Sequence, residues 1–441
     1  MILPGSVLLS AYRADVRRYE AELYVVESTA LTERFTLAAQ TNDYWDDRNR
    51  AHVVHLALLA VTLVLYGLST TIAGRLRWMF VAIGSAIAGL VIVLAVLVFF
   101  RPMPSLSDEA INAYARGVGL VHQEKPVEAV AEFSRALDHE PSYTNALMAR
   151  AGAYLESRSY AAAASDYEQV RASGRDNADV AAQLGWTYYL LGRFDDAIQV
   201  DRRALDLDPD LPTRIAVRFN LALTELAAGQ VEQARREYAE SMALTAEQVT
   251  RGEADRDLPY SFWAYVDASA NDLDHLMDRL ARRPYSWVEA PPREAIVNPD
   301  LVLPAAGQLF AELRGLYLAL ERTGRPPRGG VTTRITSLQF AHDEDYDDDE
   351  DYDVASVFPS DTSSVLMLFD YQGLDPSQPV LYRVYRDGKE DPSLRRPIDG
   401  LRRSGEAEVS VPLVFGAPGE YVIEVYVDYQ LIERGRFSLR D

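Results

Sequence analysis

Two apolar runs stand back to back in this chain: VVHLALLAVTLVLYGLSTTIAG (53–74) and WMFVAIGSAIAGLVIVLAVLVFF (78–100), with only Arg75, Leu76 and Arg77 between them. They are 22 and 23 residues long and contain no Asp, Glu, Lys or Arg. A bilayer core of about 30 Å takes about 20 helical residues to cross, so each run is long enough. Lipid offers no water to the backbone, which makes helix the expected conformation of both. The pair therefore predicts a two-helix transmembrane hairpin with 75–77 as its loop; the alternative is an apolar helix pair buried in a soluble core. Gly84 with Ala88, Ser85 with Gly89 and Thr70 with Gly74 place small residues four apart, a spacing that allows close packing of helices in lipid. His55 is the only side chain in the runs that titrates near neutral pH, which argues against transport.

On the N-terminal side, residues 9–50 read as an amphipathic helix. Tyr12, Val16, Tyr19, Leu23, Val26 and Ala30 alternate steps of four and three, the rhythm of a coiled coil, until Glu33 interrupts the seam. Residues 12–30 are thus a candidate for homo-oligomer formation; otherwise this helix lies on the bilayer or against a later domain. Leu3, Val7, Leu8 and Leu9 precede Arg13, Arg17 and Arg18, the reverse of a cleavable signal. Insertion is expected to rely on the hairpin.

On the other side, Arg101-Pro102-Met103-Pro104 ends the second span, since proline cannot continue a helix and disfavours one just before it. A period of 34 residues follows. Pro141 and Pro209 are 68 apart; Ala129, Ala163 and Ala197 step by 34, as do Gly117, Ala151 and Gly185, Tyr154 and Tyr188, and Phe133 and Tyr167. A fourth unit, with three inserted residues, aligns Ala222, Gly229, Ala234 and Tyr238 with Gly185, Gly192, Ala197 and Asp201. Over about residues 108–245 the chain resembles the tetratricopeptide repeat, in which each unit is a pair of antiparallel helices. Gly117, Ala129 and Ala136 fall where such helices cross, and Phe133, Tyr154, Tyr167 and Tyr188 between successive units. The departures are Asp201 in place of an aromatic, Arg175 in place of a proline, and Arg116 and Arg150 at apolar sites.

From 246 to 323 the pattern stays helical without the period. Residues 262–270, 272–281 and 305–321 read as helices that cap the last repeat, whose apolar face must be covered, with 287–303 as a proline-rich loop. GRPPRGGVTT (324–333) is a linker by composition. Beyond it, 335–340, 365–371, 380–385, 407–413, 421–427 and 431–439 are short alternating or β-branched runs, separated by Asp387-Gly388, Asp399-Gly400 and 416–419. They predict an antiparallel sandwich. FDYQG (369–373), YRDG (385–388) and PGEY (418–421) are similar to immunoglobulin- or fibronectin-like accessory domains of bacterial surface proteins.

The expected order is a helical N-terminal region (1–52), a hairpin (53–100), an all-α repeat domain with its capping helices (105–325) and an all-β sandwich (334–441). With 66 acidic against 44 basic residues the net charge is −22, which disfavours nucleic acid as a partner. There is no cysteine, which removes thiolate chemistry. His52, His55, His122, His139, His275 and His342 share no metal-ligand spacing, and no phosphate loop, nucleophile elbow or dinucleotide motif occurs; no catalytic residue, metal or cofactor is assigned. HDEDYDDDEDYD (342–353) holds nine carboxylates. It lacks the glycine and terminal glutamate of a calcium loop and reads as a solvated acidic loop.

The resemblance implies a scaffold that binds a protein or peptide in the concave face made by the first helix of each repeat. Candidates to line it are Asn112, Arg116, Asn145, Arg150, Gln183, Trp186, Arg214 and Arg218, whose four arginines suggest an anionic segment. The competing expectation is an envelope protein of structural or adhesive role whose sandwich is the binding module. An even number of spans puts both tails on one side. Arg48, Arg50, Arg101 and Arg116 outnumber Arg75 and Arg77, which favours cytoplasmic tails, whereas the likeness to surface domains favours the outside. The expectation is a multi-pass protein of the cell membrane with its repeats and sandwich outside.

Overall fold

The computed structural model describes residues 16–101, 103–251, 259–282, 289–323, 332–343, 352, 354–375, 378–391, 394, 396–398, 401–413 and 418–440. Contacts divide the chain into two compact units, Met1–Ser173 and Gly174–Asp441.

The first unit begins with α1, Val16–Thr71, which runs unbroken through the expected boundary at 52. No glycine or proline occurs between Val16 and Tyr66 to stop it. The turn into α2, Arg75–Phe99, is made at Gly74 with φ +84°, a left-handed conformation that glycine adopts without strain. Arg75 and Arg77 therefore lie in the first turn of α2 and not in a loop. Both helices are long and apolar enough to cross a membrane. Gly84 lies against the Tyr66 ring, and Ser85 Oγ lies 2.9 Å from Tyr66 Oη. Gly89 meets no neighbour.

One stripe of α1 faces inward along its whole length: Ala30, Glu33, Tyr44, His55, Thr62 and Ser69 are buried. A π-helical turn at Ala21–Val25 inserts a residue ahead of it, so the inward positions pass from Ala21 to Val26. That insertion breaks the coiled-coil register expected over 12–30. Tyr19 and Leu23 are left 62% and 43% exposed, while Val26 and Ala30 pack on the first repeat.

The repeats of this unit are α3 (Asp108–His122) with α4 (Pro126–His139), and α5 (Thr144–Glu156) with α6 (Tyr160–Ala172). Ser107 caps α3 by accepting the Ala110 N–H at 3.1 Å, and Pro126 opens α4, where its missing N–H costs nothing. A Cβ on Gly117 would collide with the Phe133 ring, so the expected crossing is present. The turn between the paired helices needs a positive φ, taken by Glu124 and Arg158 here and by Gly192 and Gly229 in the second unit.

The second unit continues with α7 (Ala178–Leu190) and α8 (Phe194–Asp206), then α9 (Leu211–Ala227) and α10 (Val231–Arg251). α11 (Pro259–Leu280) and α12 (Pro299–Thr323) follow. The two helices expected at 262–270 and 272–281 are one, because Asn271 is no breaker. The loop expected at 287–303 gives way to helix at Pro299, with Pro304 inside α12. Most of the linker at 324–333 lies outside the described residues.

Among the described residues nine strands form two sheets. β1 (Arg334–His342), β3 (Ser364–Gln372) and β7 (Ser404–Pro412) make an antiparallel sheet in the order β1-β3-β7. The second sheet has the order β2-β9-β8-β4-β5: β2 (Val357–Pro359), β9 (Gln430–Arg440), β8 (Gly419–Val427), β4 (Val380–Arg386) and β5 (Lys389–Glu390), with β6 (Arg396–Pro397) also on β4. All six predicted runs are strands. The sheet is nevertheless mixed, because β2 pairs with β9 in parallel. Phe340, Val365, Met367, Val384, Ile423 and Phe437 belong to one core between the sheets. The acidic residues of 342–353 lie outside the described residues apart from Asp343, which accepts a hydrogen bond from Ser410 Oγ at 2.7 Å.

The alternation in β4 and β8 does not mark a solvent face. Arg383 and Glu424 are fully buried, because α11 and α12 cover that side. Asp267, Asn271, Asp274 and Asp278 follow one face of α11 at steps of four, three and four. Arg314 of α12 pairs with Asp267, donates to Asn271 at 2.7 Å and stands 3.8 Å from Glu424. Arg434 of β9 forms a two-pronged pair with Asp274, and Arg436 reaches Asp274 at 2.9 Å and Asp278 at 3.1 Å. Gly315 lets the β8–β9 turn close on α12; a Cβ there would sit 2.8 Å from the Tyr429 carbonyl oxygen.

Candidate functional site

In the first unit the expected partner face, on α3 and the start of α5, is covered by α1. Val26, Ala30 and Leu37 pack with Ile111, Ala115 and Leu106, and a Cβ on Gly119 would run into Val26. Glu33 sits in the same seam, 9% exposed. Its carboxylate accepts hydrogen bonds from Tyr143 Oη at 2.9 Å and from Asn145 Nδ2 at 2.9 and 3.2 Å. Burial, the hydrogen bond to Glu33 and its charge raise the Tyr143 phenol well above its usual range. Burial and the Glu33 charge raise Tyr114 to about 12. One residue on, Arg34 donates to Asp108 Oδ1 at 3.0 Å and Asn112 Oδ1 at 3.1 Å.

Asn112 and Asn145 are thus brought together, and what they hold is the chain's own helix. The expected preference for a carboxylate is met by Glu33, the residue taken from the sequence as a break in the seam. Glu33 keeps the step of three from Ala30, a spacing that could have placed it inside the seam.

The arginines are engaged too. Arg116 donates to Glu132 at 2.8 Å, Arg150 makes a two-pronged bond with Asp166 at 2.8 Å, and Arg218 donates to Glu237 at 2.7 Å. These pairs join the first helix of a repeat to its second. They recur with the period of the chain, since 116 and 150, and likewise 132 and 166, are 34 apart. Arg218 also reaches Glu240 at 2.6 Å, and Arg214 donates to Asp208 at 3.2 Å and to the Pro209 carbonyl at 3.1 Å. Their charges are matched within the fold, which weakens the case for an anionic ligand.

Gln183, on α7 of the second unit, is exposed, and Trp186 is half-buried and stacked on Tyr189 with ring centroids 5.1 Å apart. Of the eight candidates, Gln183 and Trp186 are the two held by no side-chain hydrogen bond or ion pair among the described residues, and they offer polar and aromatic contact. In the same unit, an apolar cavity of about 540 Å³ lies between α10, α12 and β9, with Met242, Ala246, Ala311, Leu316 and Leu431 in its wall.

The family profile "Tetratricopeptide repeat" matches residues 114–170 and 149–212. The helical hairpins are tetratricopeptide-like. A curated relative, "Type IV pilus assembly protein PilF" of Pseudomonas aeruginosa, is 29% identical over 164 residues, which cover 36% of this chain and 64% of that protein. Among solved structures, YrrB, titled a tetratricopeptide repeat protein with an unusual peptide-binding site, is 17% identical with a TM-score of 0.28, covering 36% of this chain and 84% of its own. The DNA glycosylase AlkC of Pseudomonas fluorescens, bound to DNA with an abasic site analogue, is 14% identical with a TM-score of 0.24, covering 77% and 94%. At scores this low neither likeness extends to the chain as a whole. In this chain the tetratricopeptide-like hairpins carry a buried acid at their centre. Asp201 takes the place held by Phe133 and Tyr167, its carboxyl pressed on Gly185 and without a hydrogen bond among the described residues. Burial raises it well above the usual carboxylate range.

Proposed function

We propose that this chain is a membrane-anchored scaffold whose tetratricopeptide-like hairpins bind a protein or peptide partner. The face of α7 and α9 that carries Gln183, Trp186, Arg214 and Arg218 is the part left open to it. The supporting observation is the seat of α1 on α3 and α5. There the same face of an earlier repeat takes up a helix through small residues, an aliphatic stripe and one carboxylate, the helix-in-groove mode of recognition. α1 and α2 are the proposed anchor, spanning at 53–74 and 78–100, with both soluble parts outside the cell membrane. The name of the pilus-assembly relative accords with an envelope role. The two sheets are read as a sandwich covering 334–441. Because Arg434 and Arg436 fasten β9 to α11, the sandwich serves to close the repeat array rather than as a detached binding module.

A photo-reactive residue placed at Gln183 in the full-length protein, in cells, should give a discrete cross-linked product. The same residue at the exposed Ala239 of α10 should give none. Equal products at both positions, or none at Gln183, would overturn the assignment. Carbonate washing of membranes tests the anchor separately: a protein that washes off has no spanning hairpin.

A further inference from the structure

α1 carries a second stripe, on the side away from the repeats. Tyr24, Leu31, Ala38 and Trp45 follow at intervals of seven, with Phe35 and Asn42 between them, also seven apart. These positions and Ser28 form one seam, regular from Leu31 onward on the α-helix, with Tyr24 at its end inside the π-helical turn. None is covered among the described residues: Tyr24 is 62% exposed, Leu31 56%, Phe35 76% and Trp45 46%, and Ala38 and Asn42 are exposed as well.

We propose that this seam joins two copies of the chain in a parallel two-stranded coiled coil. The spacing is the first argument. A helix that needed only one contact would bury a single stripe, and α1 already has that stripe in Ala30, Glu33 and Tyr44. Asn42 is the second. A lone asparagine in such a seam costs stability but fixes register and two-strandedness by bonding to its counterpart, whereas on a lipid-facing surface it would be out of place. Distance from the bilayer is the third. α1 is continuous into the span that starts near Val53, so at 1.5 Å per residue the seam stands about 12 to 44 Å along the helix from that point. Lipid does not reach that far. The parallel direction rests on the membrane reading given above, since copies inserted in one membrane point the same way.

The chain has no cysteine, so Leu31→Cys, Ala38→Cys and Gln40→Cys each introduce a single thiol. Gln40 is exposed and lies off the seam. Oxidation of native membranes with copper-phenanthroline, followed by non-reducing electrophoresis, should convert L31C and A38C to a species of twice the chain mass. The yield should be several-fold above that of Q40C. Dimer absent from L31C and A38C, equal dimer at Q40C, or cross-linking to a protein of another mass would each overturn the proposal. A hydrophobic replacement at the seam, Asn42→Leu, should retain self-association in detergent while spreading it over more than one oligomer size; an unchanged single dimer would remove asparagine from the argument. Carbonate extraction of the same membranes reports on the anchor by itself, so a failed anchor and a failed seam are told apart.

Discussion

Two places in this molecule fasten a non-repeat element to a repeat or capping helix with buried polar groups, and they do it differently. At the seat of α1 a single carboxylate, Glu33, takes two neutral partners, Tyr143 and Asn145. Arg34 beside it remains half in water with Asp108. At the junction of β8 and β9 with α11 and α12, three guanidinium groups meet four carboxylates, and Arg314, Asp278 and Glu424 are essentially out of solvent. A buried charge that loses its partner is far more costly than a neutral donor that does. The first attachment is therefore of a kind that can exchange; the second holds its parts in one arrangement.

The largest expected effect is at the junction. Arg314→Leu removes the counter-charge of Asp267 and one of the two guanidinium groups beside Glu424, leaving it Arg434 at 3.7 Å, and should destabilise the second unit by about 3–5 kcal/mol, read by urea unfolding of the solubilised full-length protein. Adding Asp267→Asn and Glu424→Gln should recover most of that loss. A single-variant loss below about 1 kcal/mol would mean that water reaches the junction, and the contrast would vanish.

Glu33→Ala should cost about 1–3 kcal/mol, the penalty of leaving the Tyr143 and Asn145 donors unmet. Hydrogen exchange should speed up at amides of residues 21–37 while those of α11 and α12 are unchanged. A loss equal to that of Arg314→Leu would break the comparison.

Acid separates the junction from the interior of the repeats by sign. Burial alone would raise the Asp274 carboxyl, but Arg434, Arg436 and Arg314 outweigh it and hold it well below the usual range. Its contribution to stability is present above the unfolded value of 3.8 and is lost as pH falls through the lower folded value. Asp201 behaves oppositely. Its folded carboxyl binds its proton more tightly than the unfolded one, so stability is fullest below 3.8 and declines as pH rises toward the folded value. Asp201→Asn should flatten that decline in urea unfolding between pH 4 and 8. An unchanged slope would show that Asp201 is solvated.

The smallest effect belongs to Arg34→Ala. Its pair with Asp108 is 43% and 74% exposed, so the loss should be about 0.2–1 kcal/mol and shrink further in high salt. Melting curves at two salt concentrations would check it.

Much of the architecture was legible because it is written in spacing. The apolar runs at 53–74 and 78–100, the step of 34 that joins Ala129, Ala163 and Ala197, and the alternating strands after 334 each follow from a period that one element imposes on its own sequence. Gly117 at a helix crossing could be placed in advance for the same reason, but not that the Phe133 ring, expected between successive units, would lie against it. The partner face was only half legible. Asn112 and Asn145 were found, but not that Glu33 and Arg34 would occupy them, since nothing local to residue 33 says what lies 110 residues further on.

The sequence by itself determined the helix pairs, their period, the two apolar helices and the six main strands, because local periodicity and breakers settle those. Tertiary structure alone decided which polar residues are inside. Arg383 and Glu424 look like the solvent positions of alternating strands until α12 covers them, and Arg116 and Arg150 look like ligand contacts until Glu132 and Asp166 arrive from the neighbouring helix. Burial of a charge depends on a partner brought from elsewhere in the chain, and that partner is chosen by packing, not by spacing.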